Sequence, residues 1–525
     1  MFDVLIRGAH ILDGTGSPSF RGDVGIDGTR IDAIGDLRDA PAHETLDAIG
    51  LTIAPGFIDI HSHSDFTLSI NPRAESKVRQ GVTTEVVGNC GFSPAPIAPA
   101  TKSQLLQYTA FIDAGLPWDW TSFGDFLAHL ETNRLAVNIV PFVGHGSIRI
   151  AVMGFSDAAP NVDEFTTMKH LLAQAMDEGA WGLSTGLIYP PGVFAQTDEI
   201  VELARGVAKR DGLYFSHIRG EGATLLDAIS EVITIAREAN ISAEVSHFKA
   251  AGKSNWSKAS QAIDLIERAR ADGLRVDADM YPYAAGSTTL SALLPDWALA
   301  GGMSAMLARL NDKTTRGKIA DAMNAGAGVT RDFDQTFLTA CPNHPEYEGQ
   351  TLAQIAQSRA QSPIDATLAI LIETNGETEM ASFMMSEENI CSSLKQAWMT
   401  IGSDGLAFAP NGVLGKGKRH PRSYGTFPRV LQKYVREEKI ITLPNAIKRM
   451  TAQTAAKLGL KDRGRVQAGL AADLVVFNPD TIIEHSTFAE PYQFPSGIEF
   501  VLVNGQVVVA KDEQRDALPG QVLRK

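Results

Sequence analysis

Short apolar runs separated by turn-forming pairs occupy both ends of the chain. Asp13-Gly14, Asp27-Gly28 and Asn504-Gly505 are pairs typical of tight turns between strands. The apolar runs around them predict six β-strands, at residues 4–6, 23–26, 30–34, 473–477, 498–503 and 506–509. Because neither end alone can form an adequate core, we expect residues 1–54 and 451–525 to pair as one small β-sandwich domain.

Between these ends, strand-like apolar runs alternate with helical segments. The predicted strands are residues 56–61, 83–90, 136–144, 179–186, 213–217, 242–247, 275–281 and 398–403. Helices are predicted between them at residues 163–178, 197–210, 223–239 and 257–272. Eight strands with helical crossovers predict an α/β fold, a TIM-like (β/α)8 barrel over residues 55–450. About 115 residues separate strands seven and eight, too many for one crossover. We therefore expect an insertion, a subdomain or lid, at residues 287–345.

Composition narrows the possible partners and location. The 525 residues include 47 Lys and Arg against 61 Asp and Glu, a net charge of −14. That balance argues against nucleic acid or an anionic membrane as a partner. The three cysteines, at positions 90, 341 and 391, form no close-spaced pair, which favours a reducing compartment. With neither a signal-peptide pattern nor an apolar run of membrane-spanning length, the sequence predicts a cytoplasmic protein.

Residues that can bind a metal ion recur where the predicted strands end. His61 and His63 follow the first strand, and their i, i+2 spacing places both imidazoles on one side of an extended chain. Alone, each such residue has an ordinary explanation, as a surface histidine, a small buried cysteine or a turn aspartate. The carboxyl ends of parallel strands meet at one face, so together they predict a divalent-metal site. The other candidates at strand ends are Cys90, His217, His247 and Asp404, with His145 nearby.

Six short segments carry a distinctive combination of residues. They are 55–63, which ends in His-x-His, 88–93, which contains Asn-Cys-Gly, 216–221, 246–249, 402–405 and 472–477. The first resembles the opening barrel strand of the amidohydrolase superfamily. As a set they resemble the D-aminoacylases, the N-acyl-D-amino-acid deacylases, and the resemblance covers nearly the whole chain.

The resemblance implies a zinc-dependent centre. Cys90, His217 and His247 would hold one Zn²⁺ tightly, and a thiolate with two neutral imidazoles suits this ion. His61, His63 and Asp404 would form a second, weaker position, with Cys90 as the bridging ligand. Strand four, residues 181–187, contains no lysine that could bridge two metals after carboxylation. A cysteine thiolate is the available substitute.

The implied reaction is hydrolysis of an N-acyl-D-amino acid to a D-amino acid and a carboxylate. Asp404 is expected to act as the general base that takes a proton from the attacking water. The residues expected to bind the substrate are Lys249, Tyr281, Ser287 and Arg422. Arg219 and Glu221 are expected to form a supporting ion pair, and residues 405–419 to border the mouth of the site.

Two other functions remain open from the sequence. A cyclic-amide hydrolase of the dihydroorotase or hydantoinase type is the nearest rival, although the missing lysine of strand four weighs against it. A non-catalytic structural protein of the same fold would have lost its metal ligands, whereas here every ligand position is filled. The residues alone do not fix the stereochemistry, the acyl or side-chain preference, the number of metals or the oligomeric state.

Overall fold

The two ends of the chain share one nine-stranded sheet. The computed structural model describes residues 1–329 and 332–525. The strands of this sheet are Phe2–Ile11, Phe20–Asp27, Arg30–Gly35, Ala42–Asp47, Thr52–Pro55, Leu474–Phe477, Ile498–Val503, Gln506–Ala510 and Glu513–Gln514. Thr52–Pro55 pairs antiparallel with Leu474–Phe477, which joins the two ends. All six runs predicted to be strands lie within this sheet.

An apolar core explains why the two ends associate. Ile6, Val24 and Ile53 from the N-terminal end are fully buried in one cluster with Leu474 and Val476 from the C-terminal end. Each end supplies only part of this cluster, so neither could bury these side chains alone.

Parallel strands make up the middle of the chain, and all eight predicted strands are present. Phe57–Asp59, Val82–Val87 and Asn138–Pro141 form one sheet. The other sheet contains Val143–Gly144, Gly182–Gly186, Leu213–His217, Ser242–Val245, Val276–Met280 and Met399–Ile401. Nearly all of these residues are buried, as expected for parallel strands covered on both faces.

Helices connect these strands, so the predicted α/β class is confirmed. The four predicted helices are present as Val162–Asp177, Thr197–Ala208, Leu225–Ala239 and Lys258–Ala271. Outside the connection between strands seven and eight, the other helices include Glu75–Val78, Lys102–Thr109, Phe123–Asn133, His145–Met153, Arg422–Arg429, Leu443–Met450 and Ala452–Leu458. Glu387–Leu394 lies within that connection, just before strand eight. In the part of the chain that the structure describes, no helix is both long and apolar enough to cross a membrane.

The long connection between strands seven and eight has a core of its own. Its three-stranded antiparallel sheet consists of Ala285–Thr289, Thr336–Ala340 and Glu379–Phe383. Its helices are Asp296–Leu299, Gly302–Asn311, Lys313–Asn324, Leu352–Ser358 and Pro363–Glu373. Leu290, Leu310, Leu338 and Leu371 belong to a cluster separate from the main core. Residues 330 and 331 of the predicted 287–345 insertion lie outside the described residues.

Candidate active site

Four of the predicted ligands converge just beyond the strand ends. The thiol Sγ of Cys90 lies 3.2 Å from Nε2 of His61 and 3.4 Å from Nε2 of His247. Oδ1 of Asp404 lies 3.4 Å from Nε2 of His61 and 3.1 Å from Nε2 of His63. The donor atoms of His61, Cys90, His247 and Asp404 all lie within 4.8 Å of one another. One sulfur, two imidazole nitrogens and a carboxylate oxygen therefore face a common point.

His217, at the end of its strand, adjoins this group through His247, and the donor atoms of His217, His247 and Glu221 also lie within 4.8 Å of one another. Its ring centroid lies 4.3 Å from that of His247. The side chain is buried, yet neither ring nitrogen has a hydrogen-bond partner. Burial, with the neighbouring His247, lowers the pKa of His217, so the neutral imidazole is favoured. A buried imidazole that favours the neutral form can bind a metal ion.

The backbone turns sharply at three of these residues. Cys90, His247 and Asp404 have positive φ angles of 53°, 36° and 50°. Residues other than glycine seldom adopt this left-handed conformation, and it costs free energy when they do. The turn ends each strand and directs the side chain into the site, a feature that apolar patterning does not predict.

Charge in the site favours the ionised forms of the anionic ligands. Burial would raise the pKa of the Cys90 thiol, but the adjacent His61 and His247 lower it well below its usual value. Burial opposes ionisation of Asp404 too, and the Arg422 guanidinium, whose Nη1 lies 2.7 Å from Oδ2, holds that pKa well below its usual range. The lowered pKa values thus favour a thiolate at Cys90 and a carboxylate at Asp404.

A fully buried lysine beneath the site was missed by the sequence reasoning. Nζ of Lys77 donates to Oδ2 of Asp59 and to Oγ of Ser403, each at 2.8 Å, and lies 3.3 Å from Oε2 of Glu85. Asp59 also accepts the backbone N–H of Ser403, and Glu85 accepts the hydroxyl of Ser62. This network fixes the segments that carry the two histidines and Asp404, and its partners are too distant in sequence to leave a local signal.

Lys249 contacts a protein carboxylate. Its Nζ lies 2.6 Å from Oε1 of Glu221 and 2.7 Å from Nδ1 of His247. The expected Arg219–Glu221 ion pair is wrong: Arg219 instead pairs with Glu231 at 2.9 Å. Glu221 also lies 3.1 Å from Nδ1 of His247, so it orients a candidate ligand.

The other predicted substrate residues line a cavity of about 470 Å³, together with several of the predicted metal ligands. The Tyr281 ring lies between two cations, 5.5 Å from Nζ of Lys249 and 4.9 Å from the Arg422 guanidinium. Ser287 lines the cavity, but its hydroxyl donates to the carbonyl of Met380 at 3.0 Å. The seventh connection adds Thr288, Ala292, Asp296 and Leu299 to the wall, and the loop at 405–419 adds Leu406, Phe408 and Arg419.

His145, the remaining histidine near a strand end, is separate from the metal-binding group. Its Nε2 lies 2.8 Å from Oε1 of Glu199, which also accepts from Nε of Arg149 at 3.1 Å. His145 is fully buried. It therefore belongs to a structural ion cluster in which helix His145–Met153 is joined to helix Thr197–Ala208.

Comparison with known proteins matches residues 44–509 to the Amidohydrolase family. D-aminoacylase of Alcaligenes xylosoxydans xylosoxydans is 37% identical over 524 residues, an alignment of 100% of this chain and 98% of the relative. N-acyl-D-glutamate deacylase of the same organism is 37% identical over 523 residues, 100% of this chain and 96% of the relative. The solved N-acyl-D-glutamate deacylase of Bordetella bronchiseptica, complexed with zinc and a phosphonate inhibitor, is 35% identical, with a TM-score of 0.84 over 100% of both chains. The chain therefore belongs to the amidohydrolase family, in the group that contains the D-aminoacylases.

Proposed function

We propose that this protein is a zinc-dependent N-acyl-D-amino-acid deacylase, which releases a D-amino acid and a carboxylate from a linear amide. The observation that carries the proposal is the convergence of Cys90 and His247, 3.4 Å apart, with the unpartnered imidazole of His217. Two relatives that are 37% identical over the whole chain are named D-aminoacylase and N-acyl-D-glutamate deacylase.

The residues present fit zinc. Cys90, His217 and His247 would hold the tight ion, and His61, His63 and Asp404, with Cys90 as bridge, a weaker second one. When bound, zinc supplies a water of lowered pKa and polarises a carbonyl group. The lowered pKa values of the Cys90 thiol and of His217 favour the forms that bind zinc, a thiolate and a neutral imidazole.

Asp404 moves the proton in the proposed reaction. Its ionised carboxylate accepts a proton as water attacks the carbonyl carbon of the amide. It then donates that proton to the amide nitrogen as the C–N bond breaks, so the amine leaves neutral. Arg422 on one oxygen and His63 on the other fix the carboxylate in place.

Lys249, Tyr281 and Arg422 are proposed to bind the substrate α-carboxylate, with Ser287 beside them. Both cations already contact a protein carboxylate, Glu221 or Asp404. A lysine ammonium has three N–H donors and an arginine guanidinium five, so each retains donors for a ligand. Their positions on one wall of the cavity would orient the amide over the metal-binding residues.

The architecture proposed for this function is a closed barrel of eight parallel strands with a β-sandwich made by residues 1–54 and 451–525. Closure is supported by a parallel bridge between Ser62 and Gly405, which links the first strand to the last. It is also supported by the N–H of Phe142, which donates to the carbonyl of Val87 where the two sheets meet. We extend the inserted unit from 287–345 to 285–383, because its three strands share one sheet.

A direct assay separates this function from its rivals. We expect purified protein to contain zinc by elemental analysis and to hydrolyse N-acetyl-D-amino acids in a panel of D- and L-enantiomers. Dihydroorotate and hydantoins are included in the same panel. Hydrolysis of the cyclic amides alone would establish the rival enzyme class. Absence of both zinc and hydrolysis would favour a structural protein, and hydrolysis of L-enantiomers alone would overturn the stereochemistry.

A further inference from the structure

A second, smaller cavity of about 90 Å³ adjoins the cavity that contains the metal-binding residues. Helix Lys102–Thr109 and the residue that follows it, Ala110, form one side, and inserted helix Gly302–Asn311 forms the other with Met303 and Met306. The lining is mainly aromatic and aliphatic. The two cavities share six wall residues, Phe92, Phe111, Ile188, Tyr189, Ala292 and Leu299.

Three of the proposed carboxylate-binding residues and the shared aromatic residues of the two cavities follow different strands around the predicted metal ligands. Tyr189 follows the fourth strand, and its ring lies 5.0 Å from that of His217. Phe92 follows the second strand, and its ring lies 6.1 Å from that of His63. Lys249, Tyr281 and Arg422 follow strands six, seven and eight. The shared aromatic wall therefore faces the reacting group from the side of the earlier strands.

The shape of an N-acyl-amino acid connects these two sides. Its amide is planar and trans, so the acyl chain and the Cα atom leave the C–N bond in opposite directions. With the α-carboxylate at Lys249 and Arg422 and the carbonyl at the metal-binding residues, the acyl chain points towards Phe92 and Tyr189. The D side chain branches from Cα, and so it lies nearer the carboxylate-binding wall.

We propose that the small cavity binds the acyl chain, and that this enzyme acts best on N-acyl-D-amino acids with chains longer than acetyl. The proposal rests on the proposed function. The methionines suit a flexible alkyl chain, because their unbranched side chains adapt to its shape. Each methylene transferred from water to this cavity should raise kcat/KM about fourfold, until the chain fills the space.

The test measures kcat/KM for N-acetyl, N-butanoyl, N-hexanoyl and N-octanoyl derivatives of one D-amino acid, the one hydrolysed fastest as its N-acetyl derivative. We expect kcat/KM to rise from acetyl to hexanoyl. A value that is flat or falls as the chain lengthens, while the N-acetyl substrate is hydrolysed, would overturn the acyl site alone. Hydrolysis of no N-acetyl-D-amino acid would overturn the proposed function and this inference with it.

Two variants connect the effect to the cavity. Ala110→Phe places a ring at a solvent-exposed edge of the small cavity and should lower the hexanoyl-to-acetyl ratio of kcat/KM at least fivefold. Met303→Ala enlarges the cavity and should move the optimum to a longer chain. Ser103→Phe, at an exposed position on the same helix but outside both cavities, is the matched control and should leave the ratio unchanged. If Ala110→Phe and Met303→Ala both leave the ratios unchanged, the chain binds elsewhere.

Discussion

Replacement of Lys77 by methionine should destabilise the protein strongly. The ammonium is fully buried and contacts two carboxylates, Asp59 at 2.8 Å and Glu85 at 3.3 Å. Methionine has a similar length but no charge, so both carboxylates would stay buried without their cation. Removal of one partner from a buried ion pair typically costs about 3–5 kcal/mol of unfolding free energy. Hydrogen bonds from Ser62, Ser64 and Ser403 remain on these carboxylates, so we expect about 3 kcal/mol rather than more.

A double-mutant cycle tests this assignment. Thermal and denaturant unfolding would be compared for wild type, Lys77→Met, Asp59→Asn and the double variant. The double variant should be more stable than the sum of the single losses predicts, because it removes a charge of each sign. Arg38→Met is the control, since its pair with Asp36 has the same 2.8 Å distance but is exposed, and it should leave the melting temperature unchanged. The reasoning would be refuted if the losses of unfolding free energy in the two single variants were strictly additive, or if Lys77→Met were as stable as the wild type.

Four further changes test the site and its surroundings. Cys90→Ala should lose most bound zinc by elemental analysis, and full zinc occupancy would contradict its role as a ligand. Asp404→Asn should retain the tight zinc but lower kcat by about 10²–10⁴, and a kcat above about a tenth of wild type would assign the base elsewhere. Lys249→Met should lower kcat/KM more for N-acyl-D-amino acids than for the corresponding amino amides, by a difference equivalent to about 2–4 kcal/mol of transition-state free energy. Equal losses in both series would mean that Lys249 contacts Glu221 but does not bind the substrate carboxylate. Burial opposes ionisation of Glu199, but hydrogen bonds from His145 and Arg149 lower its pKa overall. Its stabilisation is thus complete above the ordinary glutamate pKa of 4.5 and is lost as the pH falls from there through the lowered pKa of the folded state. The melting-temperature deficit of Glu199→Gln should therefore shrink as the pH falls below about 4.5, whereas a constant deficit would contradict it.

The parallel strands and their end residues were predictable because both follow from local pattern. A strand covered by helices on both faces favours apolar residues, and the run Leu213-Tyr214-Phe215 shows this directly. In parallel strands the carboxyl ends meet at one face, so Cys90 and His217 could be associated although more than a hundred residues separate them. The expected convergence of His61 and Cys90 is present at 3.2 Å.

The same rules did not identify the carboxylate that contacts Lys249. The predicted strand at 242–247 is longer than the observed one. The strand ends at Val245, and His247 has a left-handed backbone, so the alternation of faces no longer applies. The partner, Glu221, comes from the turn after the preceding strand. No periodicity links these two positions, and Arg219, which is closer to Glu221 in sequence, pairs with Glu231 instead.

The wall of the cavity is the part of the site that sequence pattern constrains least. Metal ligands must lie at strand ends, because only there can several strands supply side chains to one point. Residues that line the rest of the cavity have no such requirement, and several of them come from the insertion and the loop at 405–419. Ala292 and Leu299 are buried apolar residues in short helices, which sequence alone cannot distinguish from the rest of that unit's core. Their contribution to both cavities depends on how the insertion packs beside Phe111 and Tyr189. We therefore expect substrate preference in this protein to depend on tertiary packing, and the acyl-chain series measures it more directly than any motif.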